Sequence, residues 1–175
     1  MDKQRIERNP LIVKQDITAL ARPCFADDDL VKRCVQEAED LDIKPMIGDN
    51  LYMVLLNESS PRTDELMNGA TYKCCDNWYS FRGLKTALAY YAYGRIIRGG
   101  NGVSTRFGYV DKVEEYSDLA SLKDRQQVAQ ESFSIADNYM RDVLRYLVHN
   151  REVFPEFRNC GGVRNNRIRI RSIGK

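Results

Sequence analysis

Few of the side chains that drive reactions occur here at a usable spacing. His149 is the only histidine, and no partner near it in sequence makes it a general base or completes a triad. It closes the longest helical pattern, where a partly charged imidazole complements the helix dipole, so capping is its expected use. The five cysteines, Cys24, Cys34, Cys74, Cys75 and Cys160, form no C-x-x-C pair, and with one histidine to join them a zinc site is not expected. Adjacent Cys74 and Cys75 make a poor disulfide framework. With no signal-like first segment, the thiols read as small core residues in a reducing cytosol. Acidic runs at residues 27–29, 37–42 and 114–115 would serve two-carboxylate chemistry or hold a cation only if several oxygens converged on one point. Helix capping and solvated faces account for them first. The glycines from Gly94 to Gly102 lack the lysine and hydroxyl of a phosphate loop, and they end a helix instead of opening one. Tyr90, Tyr91 and Tyr93 offer stacking faces to a single-stranded nucleic acid, but no cation is interleaved before Arg95, and core packing is the expected use. With the catalytic roles unfilled, the reading is a non-enzyme that needs no cofactor and no metal.

Binding chemistry is better represented. Residues 158–175 carry six basic side chains and no acidic one, and they include the alternation Arg167-Ile168-Arg169-Ile170-Arg171. In an extended backbone this puts three guanidiniums on one face and Ile168 and Ile170 on the other. Such a strand needs a sheet edge, so addition to a partner's sheet is the economical reading. A solvated tail and a strand against this protein's own body are the alternatives.

The elements that must carry these groups are helical. Residues 1–22 mix charge with a short Leu11-Ile12-Val13 patch and read as an arm laid on a surface. Asp27 to Asp29 supply an N-cap and first-turn acids, and Leu30, Cys34, Ala38 and Leu41 follow at helical spacing for about four turns. Ile43-Lys44-Pro45 should break that helix, because the residue before proline avoids helical dihedrals. A second helix then carries Leu51, Tyr52, Leu55 and Leu56, and residues 61–67 form a third, ended by Asn68-Gly69. From Tyr79 to Arg98 the apolar positions cover most of a helix's circumference, which predicts a central helix. Residues 103–116 read as a loop or hairpin with turn chemistry at Phe107-Gly108-Tyr109. The longest helix runs from about Ser117 to about Asn150. Ala129, Phe133, Ala136, Met140, Val143 and Leu147 form its a/d-like seam, open to a partner helix of the same chain or of a neighbour. The fold class is all-α: a helical bundle of four to five helices with an exposed inter-helix loop or hairpin and extended N- and C-terminal arms. The domains are the arm 1–22, the helical body 23–157 and the basic tail 158–175.

Composition sharpens the division. A chain of 175 residues fits one domain that buries roughly two-thirds of its unfolded surface. Its net charge of +2 hides a split: six of the 27 basic residues sit in the tail, leaving the rest outnumbered by the 25 acidic ones. An acidic body does not wrap nucleic acid, although the tail could still grip phosphates. No apolar run approaches the ~18 residues needed to span a bilayer, so a soluble protein is expected.

The stretch Leu41-Asp42-Ile43-Lys44-Pro45-Met46-Ile47-Gly48-Asp49-Asn50-Leu51-Tyr52, after a short acidic helix, resembles the head-tail connector (adaptor) proteins of tailed bacteriophages. The helix Leu84-Lys85-Thr86-Ala87-Leu88-Ala89-Tyr90-Tyr91-Ala92-Tyr93, the glycine-containing loop after it, and the long last helix running to Tyr146-Leu147 and Phe154-Pro155 follow the same order. The likeness is strongest to neck ring proteins of crAss-like and related Bacteroides phages, and it covers about residues 23–157. It implies a virion protein that is assembled in the host cytoplasm and stays at the portal vertex, in a ring of about twelve subunits. The implied partners are the portal protein, identical subunits, other neck or tail proteins, and DNA passing through the channel without sequence-specific binding. Carried onto this chain, Val103, Arg106, Phe107, Tyr109 and Val110 would form the inter-subunit loop. Arg164, Arg167, Ile168, Arg169, Ile170, Arg171 and Ile173 would form the portal-docking strand. A closed ring would bury an aromatic loop against each neighbour, and an acidic wall would not hold passing DNA by its phosphates. The competing reading is a nucleic-acid-binding accessory protein that grips phosphates with its arginine tail.

Overall fold

The computed structural model describes residues 9–74, 76–99, 102–105, 108–111 and 122–157, with 102–105 and 108–111 described by their backbone. These residues are mostly helical, as the all-α reading requires.

The first helix, α1 (Lys14–Leu20), follows a turn in which the Asp16 carboxylate folds back to accept the Val13 N–H at 2.8 Å. Here the surface-arm reading of residues 1–22 needs correction for its described part. Ile12 and Ile17 are fully buried, and α1 packs on α6 (Leu84–Gly99). A helix of seven residues carries too few apolar side chains to announce this in sequence. Its burial comes from a surface supplied by residues some seventy positions away.

Helix α2 (Asp28–Ala38) starts where predicted, with the Asp27 carboxylate accepting the Asp29 N–H at 3.1 Å, and it buries Val31, Cys34, Val35 and Ala38. The predicted break at Pro45 does not occur. The chain widens into a π turn (Glu39–Ile43), in which the Lys44 N–H reaches the Glu39 carbonyl five residues back, and runs on as α3 (Lys44–Ile47) to Gly48 at φ 86°. Proline supplies no N–H, and its ring presses on the carbonyl four residues earlier; a widened turn accommodates both. The extra residue also shifts the helical face. Leu41, which belongs to the predicted stripe, is 62% exposed, while Ile43 is fully buried.

Helix α4 (Asp49–Asn57) buries Leu51, Tyr52 and Leu55. Helix α5 (Pro61–Asn68) has proline in its first turn and Ser60 as cap. Then comes an element the sequence reading lacks: β1 (Ala70–Cys74) and β2 (Asn77–Phe81) form an antiparallel hairpin, so residues 79–81 belong to a strand and not to the central helix. The hairpin hangs from a neck of two glycines. A Cβ on Gly69 would meet the Phe81 carbonyl oxygen, and one on Gly83 would meet that of Met67, so the backbones touch where no side chain fits.

Helix α6 is the centre of the molecule. It buries Leu84, Ala87, Leu88, Ala89, Tyr91, Ala92 and Ile96, and it is covered by α1 and α2 on one side and by α7 (Leu122–His149) on the other. The predicted seam of α7 is satisfied within the chain: Ala129, Ala136, Met140, Val143 and Leu147 are buried, and Phe133 is half-buried against Gly94. Between α6 and α7 the chain forms a second antiparallel hairpin, β3 (Gly102–Thr105) with β4 (Gly108–Asp111), where a loop or hairpin was predicted. Among the described residues no helix is long and apolar enough to cross a membrane.

Candidate interaction surface

Among the described residues, those singled out for chemistry take part in packing or in ion pairs. His149, in the last turn of α7, lies with its ring 5.7 Å from that of Tyr72. Cys24 and Cys34 are buried, and burial pushes the Cys34 thiol up, away from its reactive form. Cys75 and Cys160 lie outside the described residues. Asp28 pairs with Lys14 at 2.8 Å. Of the acidic run at 37–42, Asp42 accepts from Arg95 Nη2 at 2.7 Å and Nε at 3.1 Å, and Glu37 stands 3.7 Å from the same guanidinium. Burial raises the Asp42 carboxyl and Arg95 pulls it back. One turn earlier on α6 the Tyr91 hydroxyl donates to Asp137 at 2.5 Å; burial, then that hydrogen bond, pushes its ionisation well above the ordinary tyrosine value. Tyr90 packs on Tyr139 with ring centroids 5.7 Å apart. The two carboxylates thus tie the π turn to α6 and α6 to α7, and no group of three metal-ligating side chains occurs among the described residues.

Glu39 is the acid that the sequence reading undervalued. It is 1% exposed, and its carboxylate accepts the Leu11 N–H at 2.6 Å and the Tyr52 hydroxyl at 2.7 Å. An interior carboxylate of this kind is held by its hydrogen bonds. It fastens the N-terminal segment to α4 through the first residue of the π turn. Inside a run of acids nothing distinguishes it, since burial is not legible from charge alone.

The features with reach lie at the outside. In the β1–β2 hairpin Tyr72, Tyr79 and Phe81 face inward, where Tyr146 of α7 meets Phe81 at 4.4 Å and Tyr72 at 5.2 Å. Burial, then the nearby Glu65, pushes the Tyr146 hydroxyl up to about 12. Lys73, Trp78 and Ser80 face outward, and Trp78 is 71% exposed. Alternation of Tyr72, Tyr79 and Phe81 was the sequence signal for this element. Strands of five residues are short enough for a neighbouring helical pattern to absorb them.

Beyond α7 the chain turns back on itself. Phe154 is fully buried and Phe157 nearly so, and Arg62 of α5 grips the segment. Its guanidinium donates to the Val153 carbonyl at 3.0 Å and to both Glu156 oxygens at 3.1 and 3.2 Å, while Glu58 holds its other side at 2.9 and 3.2 Å. The last described residues, 153–157, are therefore held against α5. The predicted docking residues Arg164, Arg167, Ile168, Arg169, Ile170, Arg171 and Ile173 lie outside the described residues. Of the predicted inter-subunit loop, Val103 stands opposite Val110 and Ser104 opposite Tyr109 in the β3–β4 ladder, while Arg106 and Phe107 lie outside the description.

No curated protein and no solved structure matches this chain. One family matches residues 43–167, from the end of the π turn through α7 and into the tail. The match spans most of the molecule, including both hairpins and the central α6–α7 pair, and on that ground the chain belongs to the family of unknown function DUF6712.

Proposed function

We propose that this chain is a structural virion protein, a non-catalytic subunit of a ring, about twelvefold, that binds the portal and joins capsid to tail at the DNA exit channel. The observation that carries the reading is the β3–β4 hairpin, which lies in sequence between the two central helices and, among the described residues, pairs only with itself. Its body, a bundle of four to five principal helices in this reading, supplies a rigid support, and an extension from a rigid support suits a repeated contact with the next subunit. Support also comes from the resemblance of residues 41–52 and of the α6 and α7 patterns to connector proteins. The hold of α5 on residues 153–157 suits a tail that must reach a partner. The hairpin residues Val103, Tyr109 and Val110 contact the neighbouring subunit, and the strand around Ile168 and Ile170 docks on the portal.

The test is quantitative mass spectrometry of virions of the phage that encodes the chain, with lysine crosslinking from Lys175. About twelve copies per particle, crosslinked to the portal, are expected from a closed ring. Absence from the particle refutes the proposal and leaves the accessory nucleic-acid protein as the better reading.

A further inference from the structure

We propose that the outward face of the β1–β2 hairpin, together with the cleft at its base, is a binding site for single-stranded nucleic acid, in which Trp78 stacks on a base and Arg82 holds a neighbouring phosphate. The ladder register sets the face. Thr71 stands opposite Ser80 and Lys73 opposite Trp78, and these four side chains are exposed, while Tyr72, Tyr79 and Phe81 turn to the core. Trp78 is 71% exposed, so its indole offers a ring face to a partner.

At the glycine neck this face runs into an open cleft of about 430 Å³, whose polar lining is Asn68, Thr71, Ser80, Arg82 and Thr86. Among the described residues no carboxylate lines the cleft, and none pairs with the exposed Arg82 guanidinium. The cleft thus sets an unneutralised positive charge beside the hydroxyls of Thr71 and Ser80, which is a donor set for phosphate oxygens. Lys73 adds less. Its ammonium lies 3.1 Å from Asp76, although the two side chains are 53% and 96% exposed and such a pair holds its partners weakly.

The spacing fits a strand. Trp78 and Arg82 are four residues apart, at most about 13 Å in extended chain, with Ser80 midway. A short polynucleotide bridges that span with one base on the indole and the next phosphates over Ser80 and the cleft. Every nucleotide brings both a ring face and a charge, so binding here is indifferent to base sequence. An acidic peptide supplies the charge without the ring. Because acidic residues outnumber basic ones outside the tail, the attraction is confined to this face. The inference concerns the isolated chain, and it stands or falls apart from the connector reading.

Trp78 is the only tryptophan of the chain, so its fluorescence reports on this face alone. The test titrates an oligothymidylate of about ten nucleotides into the full chain, an Arg82→Ser variant and an Arg167→Ser/Arg169→Ser/Arg171→Ser tail variant. Expected is saturable quenching of the indole in the unaltered chain and in the tail variant. Arg82→Ser should bind at least about fivefold more weakly, with the salt dependence reduced by about one phosphate contact. Trp78→Ala, made in the tail variant and followed with a dye-labelled oligonucleotide, should also lose at least about fivefold, as the loss of one stacked base requires. Both altered side chains are exposed, and an unchanged circular dichroism spectrum verifies the fold. Unquenched fluorescence would overturn the proposal. Quenching that vanishes in the tail variant would overturn it too, assigning the binding to the tail, and equal quenching by polyglutamate would make the face a dock for an acidic protein instead. None of these outcomes depends on virion composition.

Discussion

Removing the Glu39–Tyr52 hydrogen bond is the sharpest test of how the N-terminal segment is held. Tyr52→Phe deletes one hydroxyl from a fully buried side chain and leaves a carboxylate oxygen without the donor now 2.7 Å away. A hydrogen bond to a charged group contributes about 1.5–3 kcal/mol, and a buried group left unsatisfied costs about 1–3 kcal/mol, so the expected loss is about 2 kcal/mol. Glu39→Gln keeps the shape. Its one acceptor still serves the Leu11 N–H, but its NH2 faces the Tyr52 oxygen, and about 1–2 kcal/mol should go with the charge assistance. Because both substitutions act on the same bond, the double variant should lose about 1 kcal/mol or more less than the sum of the two. Urea unfolding followed by circular dichroism measures all four states. Hydrogen exchange over residues 10–20 should rise in each variant while the α6–α7 pair stays protected. Losses below about 0.5 kcal/mol, additive in the double variant and silent over residues 10–20, would refute the latch.

Two further predictions follow from packing and ionisation. Gly94→Ala gains about 1 kcal/mol of helix propensity but places a Cβ 2.8 Å from Phe133 Cε1, and overpacking costs about 1–3 kcal/mol, so a net loss of about 1 kcal/mol is expected. Adding Phe133→Leu should recover part of it in the same unfolding assay; a stabilised Gly94→Ala would mean the ring swings aside freely. The Tyr146 hydroxyl, raised from 10 to about 12, keeps its proton in the folded state where the unfolded chain loses it. Its contribution, about 2–3 kcal/mol, is complete below pH 10 and is lost as pH rises toward 12, so Tyr146→Phe should flatten the fall of stability over that window.

What the sequence made legible was whatever repeats at helical spacing. The α7 seam and the circumferential apolar pattern of α6 both map onto buried positions because many residues vote for one period. Pro45 misled for the opposite reason. A single residue forbids an ordinary helical turn, yet one extra residue in a π turn removes the conflict, and no local pattern distinguishes a break from a widening. The β1–β2 hairpin was hidden by brevity, with Tyr79 and Phe81 plausible at the start of the helix that follows. Glu39 and Arg62 could not be picked out, since each resembles its charged neighbours until partners from distant elements converge on it. The interaction features fared unevenly. The segment after α6 was read as a loop or hairpin from the turn residues Phe107-Gly108-Tyr109, whereas the exposed Trp78 face, being part of an unseen strand pair, was not anticipated.

The two-glycine neck sets how this protein can diverge. Where Gly69 and Gly83 bring backbone against backbone, the ends of the β1–β2 hairpin are clamped independently of what the hairpin carries. The outward positions Lys73, Trp78 and Ser80 can therefore change without moving α5 or α6, while Tyr72 and Phe81 stay tied to Tyr146. Selection can vary those outward positions while the helical frame stays constant, provided both glycines persist.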